Sequence, residues 1–178
     1  MIRRRKDVAW DGVFPPDDMP YLKQRIEPEE WYPMETFERF GIAILSEIDG
    51  AGLDAVRAWG RFSATRYCAE HPNLVASHDP IESLMRLKVM RSTLFNFPAF
   101  DIPQLIDGHG VLTVSYGMGP IAEEAACHQT LGFCEGVLAL AGARDVQGAH
   151  GVRSWLGASH TALVLDWQSP RTGAAPTA

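Results

Sequence analysis

Apolar residues recur at every third or fourth position between residues 33 and 93. Residues at this spacing share one face of a helix, so the pattern predicts three helices. The first begins at Pro33 and ends at Asp49-Gly50, the second runs from Leu53 to Cys68, and the third opens at Asp79-Pro80 and continues to Thr93. The residues predicted to face the core are Phe37, Phe40, Ile44, Leu45 and Ile48, then Val56, Trp59, Phe62 and Tyr67, and finally Ile81, Leu84, Met85, Val89 and Met90.

Beyond residue 100 the apolar period changes from 3.6 to 2, which is the spacing of half-buried strands. Two such runs, residues 102–106 and 111–116, flank the turn sequence Asp107-Gly108-His109-Gly110 and predict a β-hairpin. A helical pattern then runs from Ile121 to Ala141 and is closed by Gly142.

Two further strands are predicted near residues 144–152 and 160–167, joined around Gly157. Strands that pair in hairpins give a largely antiparallel sheet, and the long helix must bury its apolar side against one face of that sheet. The predicted fold class is therefore α+β. It consists of N-terminal helices followed by two hairpins, with the long helix between the hairpins packed on one face.

The two ends of the chain differ from this middle part. Residues 1–30 contain several proline and aspartate breakers and predict an irregular N-terminal arm, which Trp10, Phe14 and Tyr21 are large enough to fix to a surface. Residues 168–178 are small and polar and predict a disordered tail. Residues 31–167 then form a single predicted α+β domain of the ligand-binding kind, a usual size for one domain.

Charge and cysteine content narrow the range of functions. Sixteen basic against twenty-two acidic residues give a formal net charge of −6. This balance argues against nucleic-acid binding, which needs a basic face. No apolar stretch follows the basic run at residues 3–6, so we predict neither a secretory signal nor a membrane span. The three irregularly spaced cysteines, Cys68, Cys127 and Cys134, fit buried reduced thiols in a cytoplasmic protein.

Two glycine patterns lie in and before the long helix. Residues 117–122 match G-x-G-x-x-A, a dinucleotide-binding pattern. The preceding strand belongs to a hairpin, and Glu123-Glu124 places negative charge where a phosphate would lie, so we interpret this pattern as turn chemistry. Gly132 and Gly136 each cost about 1 kcal/mol relative to alanine inside a helix. We therefore expect a close backbone approach there, to the sheet or to a partner subunit.

The histidines and possible nucleophiles show no complete catalytic motif. None of the six histidines has the spacing of a known metal motif, and structural roles are the simpler interpretation. The weak metal candidates are His128, His150 and His160, because the helix and two consecutive strands can bring them together. Neither a G-x-S-x-G elbow nor a cysteine in a nucleophile context occurs. We predict no catalytic residues and no cofactor, and the pattern favours binding over catalysis.

The C-terminal half resembles a known superfamily. The segments HQTLGFCEGVLALAG (128–142) and RSWLGASHTALVLDW (153–167) resemble the end of the 4-vinyl-reductase-type small-molecule-binding domain. That domain shares a superfamily with heme nitric-oxide-binding sensors and TRAPP transport subunits. The helix opened by Trp31-Tyr32-Pro33 and the one opened by Asp79-Pro80 are similar to a myxobacterial-type paralogue family of unknown function. The resemblance covers most of residues 28–167.

This resemblance implies a regulatory binding module that forms a homodimer through its helices. The two hairpin cysteines of 4-vinyl-reductase-type domains correspond to Arg153 and Thr161 here, and the Tyr-x-Ser-x-Arg motif of the heme sensors is missing. The predicted function is therefore non-enzymatic binding of a small apolar ligand, a protein partner, or both. A protein–protein adaptor and a heme- or metal-dependent sensor are the alternatives. The residues expected near a pocket between the helices and the sheet are Phe95, Phe97, Phe100, Tyr116 and Trp155, with core packing as the other interpretation of each.

Overall fold

The computed structural model describes residues 8–27, 30–47 and 52–170. Within these ranges the order of helices and strands confirms the predicted α+β class, with one short helix added in the N-terminal arm. The elements are α1 (Met19–Lys23), α2 (Met34–Glu47), α3 (Gly52–Glu70), α4 (Pro80–Leu94), β1 (Phe100–Ile106), β2 (His109–Val114), α5 (Pro120–Leu140), β3 (Arg144–His150) and β4 (Thr161–Gln168). Short 3-10 helices lie at Trp10–Gly12, Pro72–Leu74 and Ser154–Leu156.

The four described strands form one antiparallel sheet in the order β1-β2-β4-β3. The β1–β2 loop is shorter than predicted, because His109 already pairs with Ile106. Gly108 has φ 78°, which a glycine adopts without strain in such a tight turn. β2 and β4 are the two central strands, and their inward side chains alternate with exposed or half-buried ones. The predicted antiparallel sheet with a long helix on one face is confirmed.

The main core lies between α5 and the inner face of the sheet. Six side chains at its centre are fully buried, and burial of each contributes roughly 1.5–3 kcal/mol. They are Leu112, Leu131, Val137, Leu138, Leu163 and Leu165. The cysteines at positions 127 and 134 are buried in the same cluster as free thiols, as predicted.

Helices α3 and α5 approach each other through glycines. A Cβ at Gly132 would overlap the carbonyl oxygen of Arg57, and a Cβ at Gly60 would lie 2.9 Å from the backbone nitrogen of Phe133. A Cβ at Gly136 would lie 2.6 Å from the Cβ of Ala64. The expected close approach exists, but α3 is the partner rather than the sheet or a second subunit. That part of the prediction is wrong.

The choice of buried helix face also differs from the prediction at several positions. Trp59 and Phe62 in α3, Phe37 in α2, and Met85 and Val89 in α4 were predicted to face the core and are exposed. In α3 the buried residues are Val56, Gly60, Ala64 and Cys68. Small residues form that face because only they permit the close contact with α5. A hydrophobicity pattern favours the large residues on the other face and therefore selects the wrong side.

The N-terminal arm is anchored as predicted, although α1 gives it regular structure. Phe14 is buried and its ring meets that of Phe40 edge to face, with 4.6 Å between ring centroids. The buried Asp18 accepts hydrogen bonds from Thr36 at 2.7 Å and from Nη2 of Arg39 at 2.9 Å. At the other end β4 includes Gln168, so this residue is not part of a disordered tail, and residues 171–178 lie outside the described residues.

Candidate functional site

Four of the five predicted pocket residues lie together. Phe95 contacts Phe97, Phe100 and Tyr116, with ring centroids separated by 5.6, 6.4 and 5.6 Å. The hydroxyl of Tyr116 makes a 2.5 Å hydrogen bond with Thr130 of α5, and burial raises the pKa of Tyr116. The four rings pack against one another and fill the space between the end of α4, the β1–β2 hairpin and α5. Trp155 does not join them and lies beside the histidines, next to the end of β3 at the opposite edge of the sheet.

The glycine-rich turn before α5 is occupied by a side chain of the protein itself. Glu123 is buried, and its carboxylate accepts hydrogen bonds from the backbone amides of Tyr116 and Met118, each at 3.0 Å. It also accepts one from the hydroxyl of Ser154 at 3.0 Å. Because the carboxylate uses the amides that would bind a phosphate in a dinucleotide fold, the interpretation as turn chemistry agrees with this geometry.

A charged groove of about 630 Å³ lies between α3, α5 and β3. At its base Glu135 is buried and forms ion pairs with Arg57 and with Arg61, the latter at 2.7 Å. Arg57 also donates a 2.7 Å hydrogen bond to the carbonyl oxygen of Gly148 in β3. Burial opposes ionisation of Glu135, but the hydrogen bonds from the two arginines outweigh it and hold its pKa below the ordinary value.

Two of the three metal candidates converge. His128 in α5 and His150 at the end of β3 have ring centroids 4.3 Å apart, and the ring of Trp155 stands edge-on to His150 at 5.3 Å. Among the described residues, Nδ1 of His128 and Nε2 of His150 are buried and have no hydrogen-bond partner. The helix and the strand thus bring His128 and His150 together, and the structural role favoured from the sequence stays a prediction for each. His160 does not join it and contacts Ser159 at 3.1 Å.

The two cysteines of α5 are buried thiols. Burial raises the pKa of the Cys127 thiol and of the Cys134 thiol to about 12 each, so both are unreactive at neutral pH. In the described ranges no group of three or more His, Cys, Asp or Glu side chains is arranged to hold a metal ion. Nor is any helix there long and apolar enough to cross a bilayer.

Neither the ion pairing of Glu135 nor the burial of Glu123 was predicted from the sequence. Both are acidic residues inside an otherwise apolar helix. An acid at such a position is rarely buried without partners, so each was a signal that a cation or a set of amide donors must face it. The residues that pair with the two acids lie far along the chain or in a loop, so no regular sequence spacing links them to the acids.

Solved structures with a similar fold come from H-NOX proteins. An H-NOX protein from S. oneidensis in the Fe(II)NO state aligns over 90% of this chain and 86% of its own, with a TM-score of 0.63 and 14% identity. An H-NOX structure from a study of heme distortion aligns over 99% and 95%, with a TM-score of 0.60 and 13% identity. An Fe(II) unliganded H-NOX mutant from K. algicida aligns over 90% and 91%, with a TM-score of 0.59 and 12% identity.

These likenesses confirm the heme nitric-oxide-binding fold that the sequence resemblance implied. At such low identity they show the fold alone. No protein-family model and no curated protein sequence matches the chain. The 4-vinyl-reductase, TRAPP and myxobacterial parts of the resemblance find no support.

Proposed function

We propose that this chain is a non-enzymatic regulatory module that binds a protein partner through the outer face of α3. The observation that carries the proposal is the exposure of two large aromatic side chains on that face. Trp59 is 51% exposed and Phe62 is 53% exposed, and their rings contact each other with 5.3 Å between centroids. Exposed Trp and Phe beside a filled interior is the pattern that favours a protein partner over a small apolar ligand.

Heme, which the similar H-NOX structures contain by their descriptions, does not fit the described residues. The space between α5 and the sheet is filled by fully buried leucines, and the aromatic residues at its end pack on one another. Of the described histidines, His109 pairs with Asp166 at 2.7 Å, and His128 and His150 contact each other. The charged groove contains no histidine, cysteine or tyrosine that could ligate iron. We therefore propose no heme-dependent activity.

The composition of the α3 outer face suits contact with another helix. We define this face by Ala55, Ala58, Trp59, Phe62, Thr65, Arg66 and Ala69. Five of these, Ala55, Trp59, Phe62, Arg66 and Ala69, alternate at spacings of four and three, which is the spacing of a helix-pairing seam. The small residues allow the backbone of a partner helix to come close, and the two aromatic rings supply the apolar area. Aromatic residues are enriched at the centres of protein interfaces for this reason.

The partner we propose is a second copy of this chain. Asp54 lies next to the outer face near the start of α3, and Arg66 lies on that face near its end, where it also pairs with Glu70 at 3.9 Å. In an antiparallel pair of α3 helices the start of one meets the end of the other, so these opposite charges would approach each other across the interface. Such self-complementarity is what a twofold symmetric contact requires. We therefore propose the outer face of α3 as the contact surface of the homodimer that the sequence resemblance implies.

Light scattering after size-exclusion chromatography tests this proposal. We expect the wild-type chain to elute with the mass of two chains, and Phe62→Glu or Trp59→Glu to elute with the mass of one. Val89→Glu is the matched control, because Val89 is 75% exposed on α4 and the same charge is added away from the proposed face. A wild type that stays monomeric at millimolar concentration, or a Phe62→Glu variant that stays dimeric, would refute the proposal.

The other predicted ligand, a small apolar molecule, stays a prediction. The charged groove has the volume of a small-molecule site, but its lining includes Arg57, Arg61, Glu135 and Asp145 and does not suit an apolar ligand. The cytoplasmic location and the lack of nucleic-acid binding likewise remain predictions from composition.

A further inference from the structure

The contact between His128 and His150 leaves two imidazole nitrogens buried without partners. A buried polar group without a partner is destabilising, so each such atom requires an explanation, such as a bound water, a bound ion or a catalytic role. Here the two unpaired atoms, Nδ1 of His128 and Nε2 of His150, belong to rings in direct contact. Two unpaired nitrogens at one place point to something that both can bind.

The backbone of Cys127 is the polar group that acts on the ring of His150 through a hydrogen bond, which raises its pKa less than burial and His128 lower it. A metal-ligating histidine usually donates its second ring nitrogen to a backbone carbonyl or a carboxylate. For His150 the backbone of Cys127 is the group in that position.

Electrostatics keep both rings neutral. Burial lowers the pKa of His128, while burial and then the neighbouring His128 lower the pKa of His150 to about 4. The charged groups that act on the pair are Asp54 and Arg57 from α3, Glu124 from α5 and Arg153 from the loop after β3. A metal ion binds a neutral imidazole through the nitrogen that carries no proton, and the burial that lowers both pKa values favours neutral rings.

We propose that His128 and His150 form a binding site for a borderline divalent transition-metal ion of the Zn²⁺ or Cu²⁺ kind. Imidazole nitrogen is a preferred ligand of these ions. In the described ranges no third His, Cys, Asp or Glu gathers with the pair. Two protein ligands leave the other coordination positions to water or to a small anion, so binding requires the buried pair to admit these ligands together with the ion. Trp155 beside His150 shields one side of it.

Calorimetric titration of the tag-free full chain with Zn²⁺, repeated with Cu²⁺, tests the site. We expect one ion per chain, tighter binding of Cu²⁺ than of Zn²⁺, and an affinity at least tenfold weaker in His128→Ala and in His150→Ala. His160→Ala is the matched control and should bind as the wild type does, because this ring lies apart from the pair. Absence of binding in the wild type, or binding that survives in both variants, overturns the proposal.

A second measurement keeps the test decisive if the alanine variants fold poorly. Imidazole nitrogen chemical shifts of the wild type should show Zn²⁺ at Nε2 of His150 and Nδ1 of His128. Chemical shifts of both nitrogens that stay unchanged in excess Zn²⁺ overturn the proposal.

Discussion

Substitution of Gly132 by alanine tests the contact that joins α3 to α5. The added Cβ would overlap the carbonyl oxygen of Arg57 and lie 2.8 Å from its carbonyl carbon. Both are backbone atoms of a helix and cannot rotate away as a side chain can. The methyl group fits only if α3 and α5 separate, and separation would loosen the contacts at Gly60 and Gly136 on the same interface.

The expected loss of stability combines two opposing effects. Overpacking of a close contact typically costs about 1–3 kcal/mol, and the rigid backbone partner places this case at the upper end. The better helix propensity of alanine raises the free energy of unfolding by about 1 kcal/mol. We therefore expect Gly132→Ala to lower the free energy of unfolding by about 2 kcal/mol, which is a large part of the stability of a domain of this size.

Urea denaturation followed by circular dichroism measures this difference. At a slope of about 2 kcal/mol per molar urea, the midpoint of Gly132→Ala should fall by about 1 M. Gly41→Ala in α2 is the matched control, since a Cβ there has no atom within 4 Å, and its midpoint should stay or rise. If Gly132→Ala is as stable as the wild type, the close approach of α3 and α5 does not constrain the fold as argued.

Two further predictions concern the buried acids. Because the pKa of Glu135 is held below its ordinary value of 4.5, its charge stabilises the folded state above that pH, and the stabilisation disappears as the pH falls through the lower folded-state pKa. The difference in unfolding free energy between wild type and Glu135→Gln should therefore be largest near pH 7 and shrink below pH 4.5. Parallel urea titrations measure this difference. A difference that grows on acidification contradicts the prediction. Glu123→Ala should remove the acceptor of the Tyr116 and Met118 amides, so their hydrogen exchange should accelerate by at least tenfold, while the amide of Leu112 in central β2 stays protected. Unchanged exchange at both amides would show that the carboxylate does not hold the turn.

The change of apolar period at residue 100 predicted the fold because period depends on local geometry alone. An alternation of two and a recurrence of three and four cannot be confused over a segment as long as α5 or β4. The turn signals at Gly108 and Gly142 then located the ends of β1 and α5. Local rules of this kind were sufficient for the order of the elements and for the antiparallel sheet.

The face of α3 that enters the core was not predictable in the same way. Its buried side is made of small residues whose value depends on a glycine-bearing partner helix far along the chain. The geometry of the candidate site could not be predicted from the sequence for the same reason. The sequence named His128, His150 and His160 as candidates, but only the register of β3 and the position of α5 decide that two of them meet.

The strand order has a consequence for how the chain folds. The β1–β2 and β3–β4 contacts join neighbours along the chain, whereas the central β2–β4 contact spans all of α5 and β3. Closing that long loop costs chain entropy before the new hydrogen bonds and leucine contacts repay it. We therefore expect two hairpins to form early and independently, with their joining across α5 as the slow step. Substitutions in the β2–β4 pair, such as Val111→Ala, should then slow folding more than equally destabilising ones at the sheet edges.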